Sequence, residues 1–211
     1  MPENFCLLIY INYALVIIFN MRQVMNTLKK SLVMALLLPC FLATAEAADK
    51  AAGEQKSAMC AGCHGTQGQS SNAQFPSLAA QQPTYIVMQL KAFKAKTRNN
   101  PMMEAMAANL TEADMDNLAA YFSSQTKAKA GGDANLAKIG QEKSAMCAGC
   151  HGESAAGNGQ FPMLAGQHPN YLVSQLNHFK DGTRKNGHMK AIANTLSEDD
   201  MKALAAYFGT L

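Results

Sequence analysis

An internal repeat runs through most of the chain after residue 48. Ser57 and Ser144 each begin the same nine residues, SAMCAGCHG. After a one-residue gap the match continues to the Ala-Ala-Tyr-Phe sequences that end at Phe122 and Phe208. Self-similarity of this extent indicates a duplicated folding unit. We therefore predict two copies of one domain and a linker rich in Ser, Lys, Ala and Gly, with these bounds: first domain 48–124, linker 125–135, second domain 136–211.

Each copy of the repeat contains the motif C-x-x-C-H. The two motifs comprise Cys60, Cys63 and His64, and Cys147, Cys150 and His151. This motif attaches haem c, because its thiols form thioethers with the haem vinyl groups and its imidazole binds the iron. A zinc site made from the four cysteines would leave both histidines without a role. A thioredoxin-like dithiol would need a βαβ unit, and strand-rich runs are missing nearby. The sequence predicts two covalently bound haem c groups and the transfer of single electrons.

Residues 1–47 are predicted to direct export. A basic start at 25–30 precedes an apolar run at 31–44 and an A-x-A cleavage site at 45–47. We interpret these as a signal peptide, and the stretch before them as an over-called translation start. A membrane hairpin of the two apolar runs is the alternative, although both are short for a bilayer span. A lipid anchor at Cys40 is disfavoured by the preceding proline. Haem c is attached outside the bacterial inner membrane, which predicts the periplasm.

Helical periodicity predicts an all-α fold with three helices in each half. In the first half we expect helices over 50–61, from Pro83, and after a capping-box sequence at Thr111. Each copy has only about 80 residues, so covalent haem is expected to supply much of the apolar surface of the core. The formal net charge is +3 and forms no basic stripe, which argues against a nucleic-acid partner.

The repeat also narrows the choice of a second axial ligand. Three methionines of the first half align with three residues of the second: Met102 with His188, Met103 with Met189, and Met106 with Ile192. Only one pair keeps methionine in both halves, so Met103 and Met189 are predicted as distal iron ligands. His188 is the open alternative for the second haem, where it would give bis-histidine ligation and a lower reduction potential.

Two further residue pairs have predicted roles near the haems. The carbonyl groups of Pro76 and Pro162 are placed to accept the Nδ1–H of the proximal histidines, or the prolines only stiffen a loop. Arg98 and Arg184 are expected to pair with haem propionates or to be solvated at the surface. Two more histidines lack counterparts in the first half and are expected to be surface or hydrogen-bonded loop residues: His168 and His178.

The quoted residues resemble the cytochrome c4 family of dihaem periplasmic cytochromes. The shared pattern is Cys-Ala-Gly-Cys-His-Gly, Phe-Pro-x-Leu-Ala-x-Gln, Tyr-x-x-x-Gln-Leu, Thr-Arg-x-Asn, a methionine, and a segment ending in Ala-Ala-Tyr-Phe, twice. The resemblance implies two class I cytochrome c folds related by a pseudo-twofold axis, with His/Met haems at their interface. It also implies these site residues: Cys60, Cys63, His64 and Met103 for the first haem, and Cys147, Cys150, His151 and Met189 for the second.

The same resemblance implies a carrier of electrons, without catalytic residues, between quinol-oxidising components and a terminal oxidase. Such proteins are soluble or loosely attached to the periplasmic face of the membrane. Two other functions stay open: a cytochrome subunit of a periplasmic dehydrogenase, for example one oxidising sulfide or an alcohol, and a dihaem peroxidase. The near-identical halves argue against the peroxidase, which needs one open and visibly different haem pocket.

Overall fold

The computed structural model describes Gln23, Met25 and residues 47–211. Most of the predicted signal sequence, including both apolar runs and Cys40, lies outside the described residues. The regular secondary structure of the described part is α-helical, with a 3₁₀ turn at Thr66–Gly68 and an isolated bridge between Asn158 and Phe161, and loops join the helices. The predicted all-α fold is confirmed.

The first half contains four helices within the described residues. They are α1 (Lys50–His64), α2 (Pro83–Lys94), α3 (Pro101–Ala107) and α4 (Glu112–Ser123). Pro83 and Pro101 open their helices at positions where a missing N–H costs nothing. The predicted capping box is present at α4, where the Thr111 side chain accepts from the Asp114 N–H and Asp114 accepts from the Thr111 N–H.

The second half repeats this order with one interruption. Its helices are α5 (Ala134–Lys143), α6 (Ala145–His151), α7 (Pro169–Asp181), α8 (Gly187–Asn194) and α9 (Glu198–Thr210). The two helices α5 and α6 correspond to the single helix α1 of the first half. The helix is interrupted at Ser144, because its N–H donates to the Gln141 carbonyl, three residues back, at 3.2 Å and tightens the turn. The expectation of three helices per half was wrong, since it omitted the short helices α3 and α8 and the break between α5 and α6. Seven or eight residues are fewer than the window over which helical periodicity is recognised.

Each half has its own apolar core. In both, the helix that leads into the C-x-x-C-H motif packs against the last helix, α1 against α4 and α5 against α9. The first core includes Met115, Leu118, Ala119 and Phe122, the residues whose spacing predicted α4, and all four are buried. The second core is built around Met201, Leu204 and Phe208 of α9. The repeat in sequence is thus a repeat in packing.

The segment between the halves is bonded to the second half. The Ala130 N–H donates to the Gly166 carbonyl at 3.2 Å, and the Gly131 N–H donates to the Gly209 carbonyl at 2.9 Å. Residues 47–211 form one compact unit. Within this described part of the chain, we find no helix with the length and apolar character needed to span a bilayer.

The start of α9 gives a prediction on acid stability. The Asp200 carboxylate accepts from the Ser197 N–H at 3.0 Å and pairs with Lys143 at 2.7 Å, and these contacts, led by Lys143, hold its pKa far below the usual range. A depressed folded-state pKa stabilises the fold above the unfolded-state value of about 3.9, and the contribution is lost as the pH falls below it. Asp200→Asn is therefore expected to destabilise the protein at pH 7 and to match the wild type in strong acid.

Denaturant unfolding of Asp200→Asn at several pH values tests this expectation, with Glu198→Gln in the same turn as control. A deficit that persists unchanged in strong acid would contradict it.

Candidate functional site

The four cysteines of the two motifs lie on helices and are free thiols. Cys60 is near the end of α1 and Cys147 is on α6, and each packs partly buried against the core of its half. Cys63 is half-buried, whereas Cys150 is exposed. Burial raises the pKa of the Cys60 and Cys147 thiols, and the neighbouring Cys63 adds to the effect at Cys60. In each half, two unpaired thiols are thus presented on one helical segment.

The two motif histidines are buried and held in one orientation. His64 and His151 are each 7% exposed, and each Nδ1 lies 2.8 Å from a carbonyl oxygen, that of Pro76 and that of Pro162 respectively. The prediction for these prolines is confirmed. A carbonyl only accepts, so Nδ1 carries the proton and Nε2 keeps its lone pair. Burial lowers the pKa of both imidazoles, and the hydrogen bond opposes this in part. Both rings therefore stay neutral, in the form that binds a metal.

The methionine predicted for the first half lies at the start of α3. The Asn100 side chain caps this helix and accepts the Met103 N–H at 3.0 Å, which fixes the backbone from which the thioether extends. Met103 is half-buried and packs against the first core. Its neighbour Met102 is 55% exposed. Burial thus distinguishes Met103 from the methionine beside it.

The second half repeats this arrangement at the start of α8. The Asn186 side chain accepts the Met189 N–H at 3.0 Å. Met189 is half-buried, whereas His188 is exposed. The two methionines that the repeat aligns are therefore both half-buried and both follow an asparagine cap, whereas His188 is exposed.

These residues fit haem c. Among the residues that the structure describes, neither histidine Nε2 has a hydrogen-bond partner, so both lone pairs are available to a metal. The ring of Phe75 stands edge-on to His64 at 6.3 Å between centroids, and Phe161 stands likewise to His151 at 6.4 Å. Covalent haem requires free thiols for its vinyl groups, a neutral imidazole for its iron and apolar side chains around the ring, and each half supplies all three. A zinc site is disfavoured, because the described residues bring no three His, Cys, Asp or Glu side chains together as ligands.

Two buried glutamines cross between the halves. The Gln167 side chain accepts the Ser77 N–H at 2.9 Å and donates to the Ser77 carbonyl at 3.0 Å. The Gln81 side chain does the same with Met163, at 2.7 Å and 3.0 Å. The exposed fractions of Gln81 and Gln167 are 5% and 6%. Each half therefore inserts an amide into the loop of the other that follows the C-x-x-C-H motif.

A second crossing is a cluster of arginines, tyrosines and glutamines, which we call the arginine cluster. It consists of Arg98, Tyr85 and Gln89 from the first half and Arg184, Tyr171 and Gln175 from the second. Each guanidinium also lies over a phenylalanine ring, at 4.6 Å for Arg98 and 4.5 Å for Arg184. Neither arginine is at an exposed surface, so that alternative was wrong.

The arginine cluster is rich in positive charge. Among the described residues, neither arginine pairs with a carboxylate. Burial alone would raise the pKa of the Tyr85 phenol, but the charges of Arg184 and Arg98 lower it overall. The cluster thus presents two cations whose protein partners are neutral, which leaves them suited to an anionic group such as a propionate.

One of the two histidines that lack a counterpart in the first half, His168, is also at the interface. His168 is buried, and its Nε2 lies 2.8 Å from the Ser70 carbonyl oxygen. Gln82, its counterpart in the repeat, donates from Nε2 to the Ala156 carbonyl at 2.9 Å. His168 is hydrogen-bonded as expected, but it is not a surface residue. Sequence reasoning missed the interface roles of these residues, although both crossing glutamines stand at matching positions of the repeat.

Comparison with known proteins agrees with this geometry. The Cytochrome c family matches the chain twice, over residues 51–126 and 137–211. The chain is 38% identical to "Cytochrome c4" of Pseudomonas aeruginosa over 76% of its own length and 88% of the relative's. It is 37% identical to a "Thiosulfate dehydrogenase electron acceptor" of Stutzerimonas stutzeri over 72% of its own length and 78% of the relative's. The crystal structure of reduced cytochrome c4 from Pseudomonas stutzeri aligns with a TM-score of 0.73 and 36% identity, covering 78% of this chain and all of that one.

Proposed function

Because this chain belongs to the cytochrome c4 family of dihaem electron carriers, we propose that it carries electrons in the periplasm between quinol-oxidising components of a respiratory chain and a terminal oxidase. It holds two covalently bound haem c groups and is a carrier, not an enzyme. The observation that carries the proposal is the repeated site. In each half a buried histidine has Nδ1 bonded to a proline carbonyl, and its Nε2 has no hydrogen-bond partner in the described part of the chain.

The proposal assigns the ligands as the repeat predicts them. The haems would be attached to Cys60 and Cys63, and to Cys147 and Cys150, with His64 and Met103 binding the first iron and His151 and Met189 the second. When bound, the haem iron supplies a one-electron couple. The chain holds each imidazole at Nδ1, and an asparagine cap fixes the backbone of each methionine.

Methionine at the sixth position suits a carrier for two reasons. An occupied site excludes substrate from the iron, and a thioether raises the reduction potential relative to a second histidine. The exposure of His188 favours Met189 in the second half. The predicted domain bounds, 48–124, 125–135 and 136–211, and the export signal within 1–47 belong to the same proposal.

A second candidate function has support from relatives that carry a different name. These relatives are named as electron acceptors of thiosulfate dehydrogenase, so this chain would then accept electrons from a dehydrogenase. This agrees with the alternative of a dehydrogenase-linked cytochrome, with thiosulfate as a further sulfur substrate besides sulfide. The carrier chemistry of the two haems is the same in both cases, and only the electron donor differs.

Kinetics with defined donors separate the two functions. The purified ferric holoprotein is mixed with membranes that contain a quinol-oxidising complex and with quinol, or with a thiosulfate dehydrogenase and thiosulfate, and haem reduction is followed optically. Rapid quinol-dependent reduction, followed by cyanide-sensitive reoxidation by oxidase-containing membranes, supports the respiratory carrier. Reduction by the dehydrogenase with no response to quinol would favour the second function. Binding of carbon monoxide by the native reduced protein would contradict both, because it shows an open iron.

A further inference from the structure

The peptide bond that holds each motif histidine is itself held by the other half of the molecule. The Pro76 carbonyl, which accepts from His64, and the Ser77 N–H belong to the same peptide group. That N–H donates to the Gln167 side-chain oxygen at 2.9 Å. A continuous chain of hydrogen bonds therefore runs from Gln167 in the second half, through one peptide group, to the imidazole of the first half.

A second chain of hydrogen bonds runs in the opposite direction, from Gln81 of the first half to His151 of the second. The Pro162 carbonyl accepts from His151, and the Met163 N–H of the same peptide group donates to the Gln81 oxygen at 2.7 Å. In each case the glutamine Nε2 also donates to the next carbonyl of the same loop, at 3.0 Å. Both glutamines are buried, so water would replace these bonds poorly if they were lost.

The physical consequence follows from how hydrogen bonds polarise a peptide group. Donation by the N–H draws electron density through the amide toward its carbonyl oxygen, which makes that oxygen a better acceptor. A better acceptor pulls the Nδ1 proton of the histidine and raises the basicity of Nε2. A more basic axial ligand stabilises ferric iron relative to ferrous iron. Gln167 is therefore placed to lower the reduction potential of the first haem, and Gln81 that of the second.

We propose that Gln81 and Gln167 are crossed positioning residues, each setting the strength of the iron–histidine bond in the opposite half. This inference rests on the proposed ligation of the irons by His64 and His151. It assigns to the domain interface a chemical role beyond holding the halves together: the potential of each haem depends on the docking of the other domain. The two haems are tuned as a pair, because each domain carries the residue that adjusts its neighbour.

The test exploits the crossing. Gln167→Met and Gln81→Met keep the length of the side chain and remove its hydrogen bonds. Gln167→Met is expected to raise the potential of the first haem. The expected change in the reduction equilibrium constant is about three- to tenfold, where tenfold corresponds to about 59 mV for a one-electron couple. The second haem should change much less, and Gln81→Met should show the reverse. Redox titration followed by paramagnetic NMR resolves the two haems through their separate methyl signals.

A matched control separates tuning from loss of the interface. Gln82 also crosses between the halves, but the peptide group that it bonds at the Ala156 carbonyl contacts the main-chain carbonyl of His151, through the Gly157 N–H, and not an imidazole. Gln82→Met is expected to leave both potentials unchanged. A shift confined to the haem of the mutated half, equal shifts of both haems, or no shift in a folded protein would each overturn the proposal.

Two further readouts keep the test decisive. In the variants, the Nδ1–H of the opposite histidine should exchange with solvent faster, which a purely structural glutamine would not cause in one half only. If Gln167→Met fails to fold, the wild-type holoprotein should show a through-hydrogen-bond scalar coupling between the Ser77 amide nitrogen and the Gln167 side-chain carbonyl, and its absence would refute the contact. Normal His/Met optical spectra in all variants show that the ligation still holds when the crossed effect fails.

Discussion

Met103→Ala is expected to lower the reduction potential of the first haem by roughly a few tenths of a volt, the scale on which axial ligands set haem potentials. Loss of the thioether removes the ligand that favours ferrous iron. It also vacates the sixth position, so the reduced first haem should bind carbon monoxide. Met189→Ala should do the same to the second haem. Redox titration and the long-wavelength sulfur-to-iron band of the ferric protein measure the change, and each single variant should lose half of that band.

The chain supplies controls for both halves. Met102→Ala removes a methionine that is adjacent to Met103 and 55% exposed, and it should leave the spectrum and both potentials unchanged. His188→Ala should be equally silent if Met189 is the ligand. Loss of the band in Met102→Ala, or a changed second haem in His188→Ala with Met189→Ala silent, would reverse the assignment.

The electron-carrier function was predictable because the residues that attach the haems are contiguous in the sequence. The C-x-x-C-H motif predicts haem c as the cofactor, and its two copies predict two haems. Pro76 and Pro162 follow their histidines by 12 and 11 residues, which predicted a bond from each imidazole to the proline carbonyl, and the structure confirms this at 2.8 Å in both halves. Contacts that form within one repeat unit are accessible to sequence reasoning.

Contacts between repeat units were not accessible in this way. The arginines were predicted to face a propionate or solvent, yet Arg98 bonds to Tyr171 and Gln175, more than seventy residues away. Nothing in the spacing of one repeat indicates which of its faces meets the other copy. A matching pair of polar residues at equivalent positions, such as Gln81 and Gln167, was the available signal, since a pseudo-twofold interface brings the same patch together twice.

The short helices α3 and α8 were missed for a different reason. Each spans only seven or eight residues and begins at an asparagine cap, and helices this short are marginal without such support. The cap also fixes the backbone of the methionine that we propose as an iron ligand. The Thr-Arg-x-Asn sequence is therefore a positioning device for the residue three places after the asparagine.

Gly53→Ala and Gly140→Ala are expected to destabilise their own halves by about 3 kcal/mol, the upper range for overpacking. A Cβ on Gly53 would lie 2.0 Å from the Asn117 carbonyl oxygen, and one on Gly140 would lie 2.0 Å from that of Ala203. Both obstacles are backbone atoms of the facing helix, so no side chain can rotate away. The helices must separate, and the helix that moves is the one that carries the C-x-x-C-H motif or leads into it.

Gly187→Ala is the control for the glycine substitutions. It also places alanine in a helix, but a Cβ there meets nothing within 4 Å, so it should be neutral or stabilising by up to about 1 kcal/mol. Guanidinium unfolding of the holoprotein, followed separately at the signals of each haem, measures the free energy of unfolding of each half.

Because helix separation shifts the motif histidine relative to the core, Gly53→Ala should also perturb the first haem's spectrum below the unfolding transition. Wild-type stability in Gly53→Ala would mean that the two helices do not pack through this glycine, and the placement of the first histidine would then need another explanation.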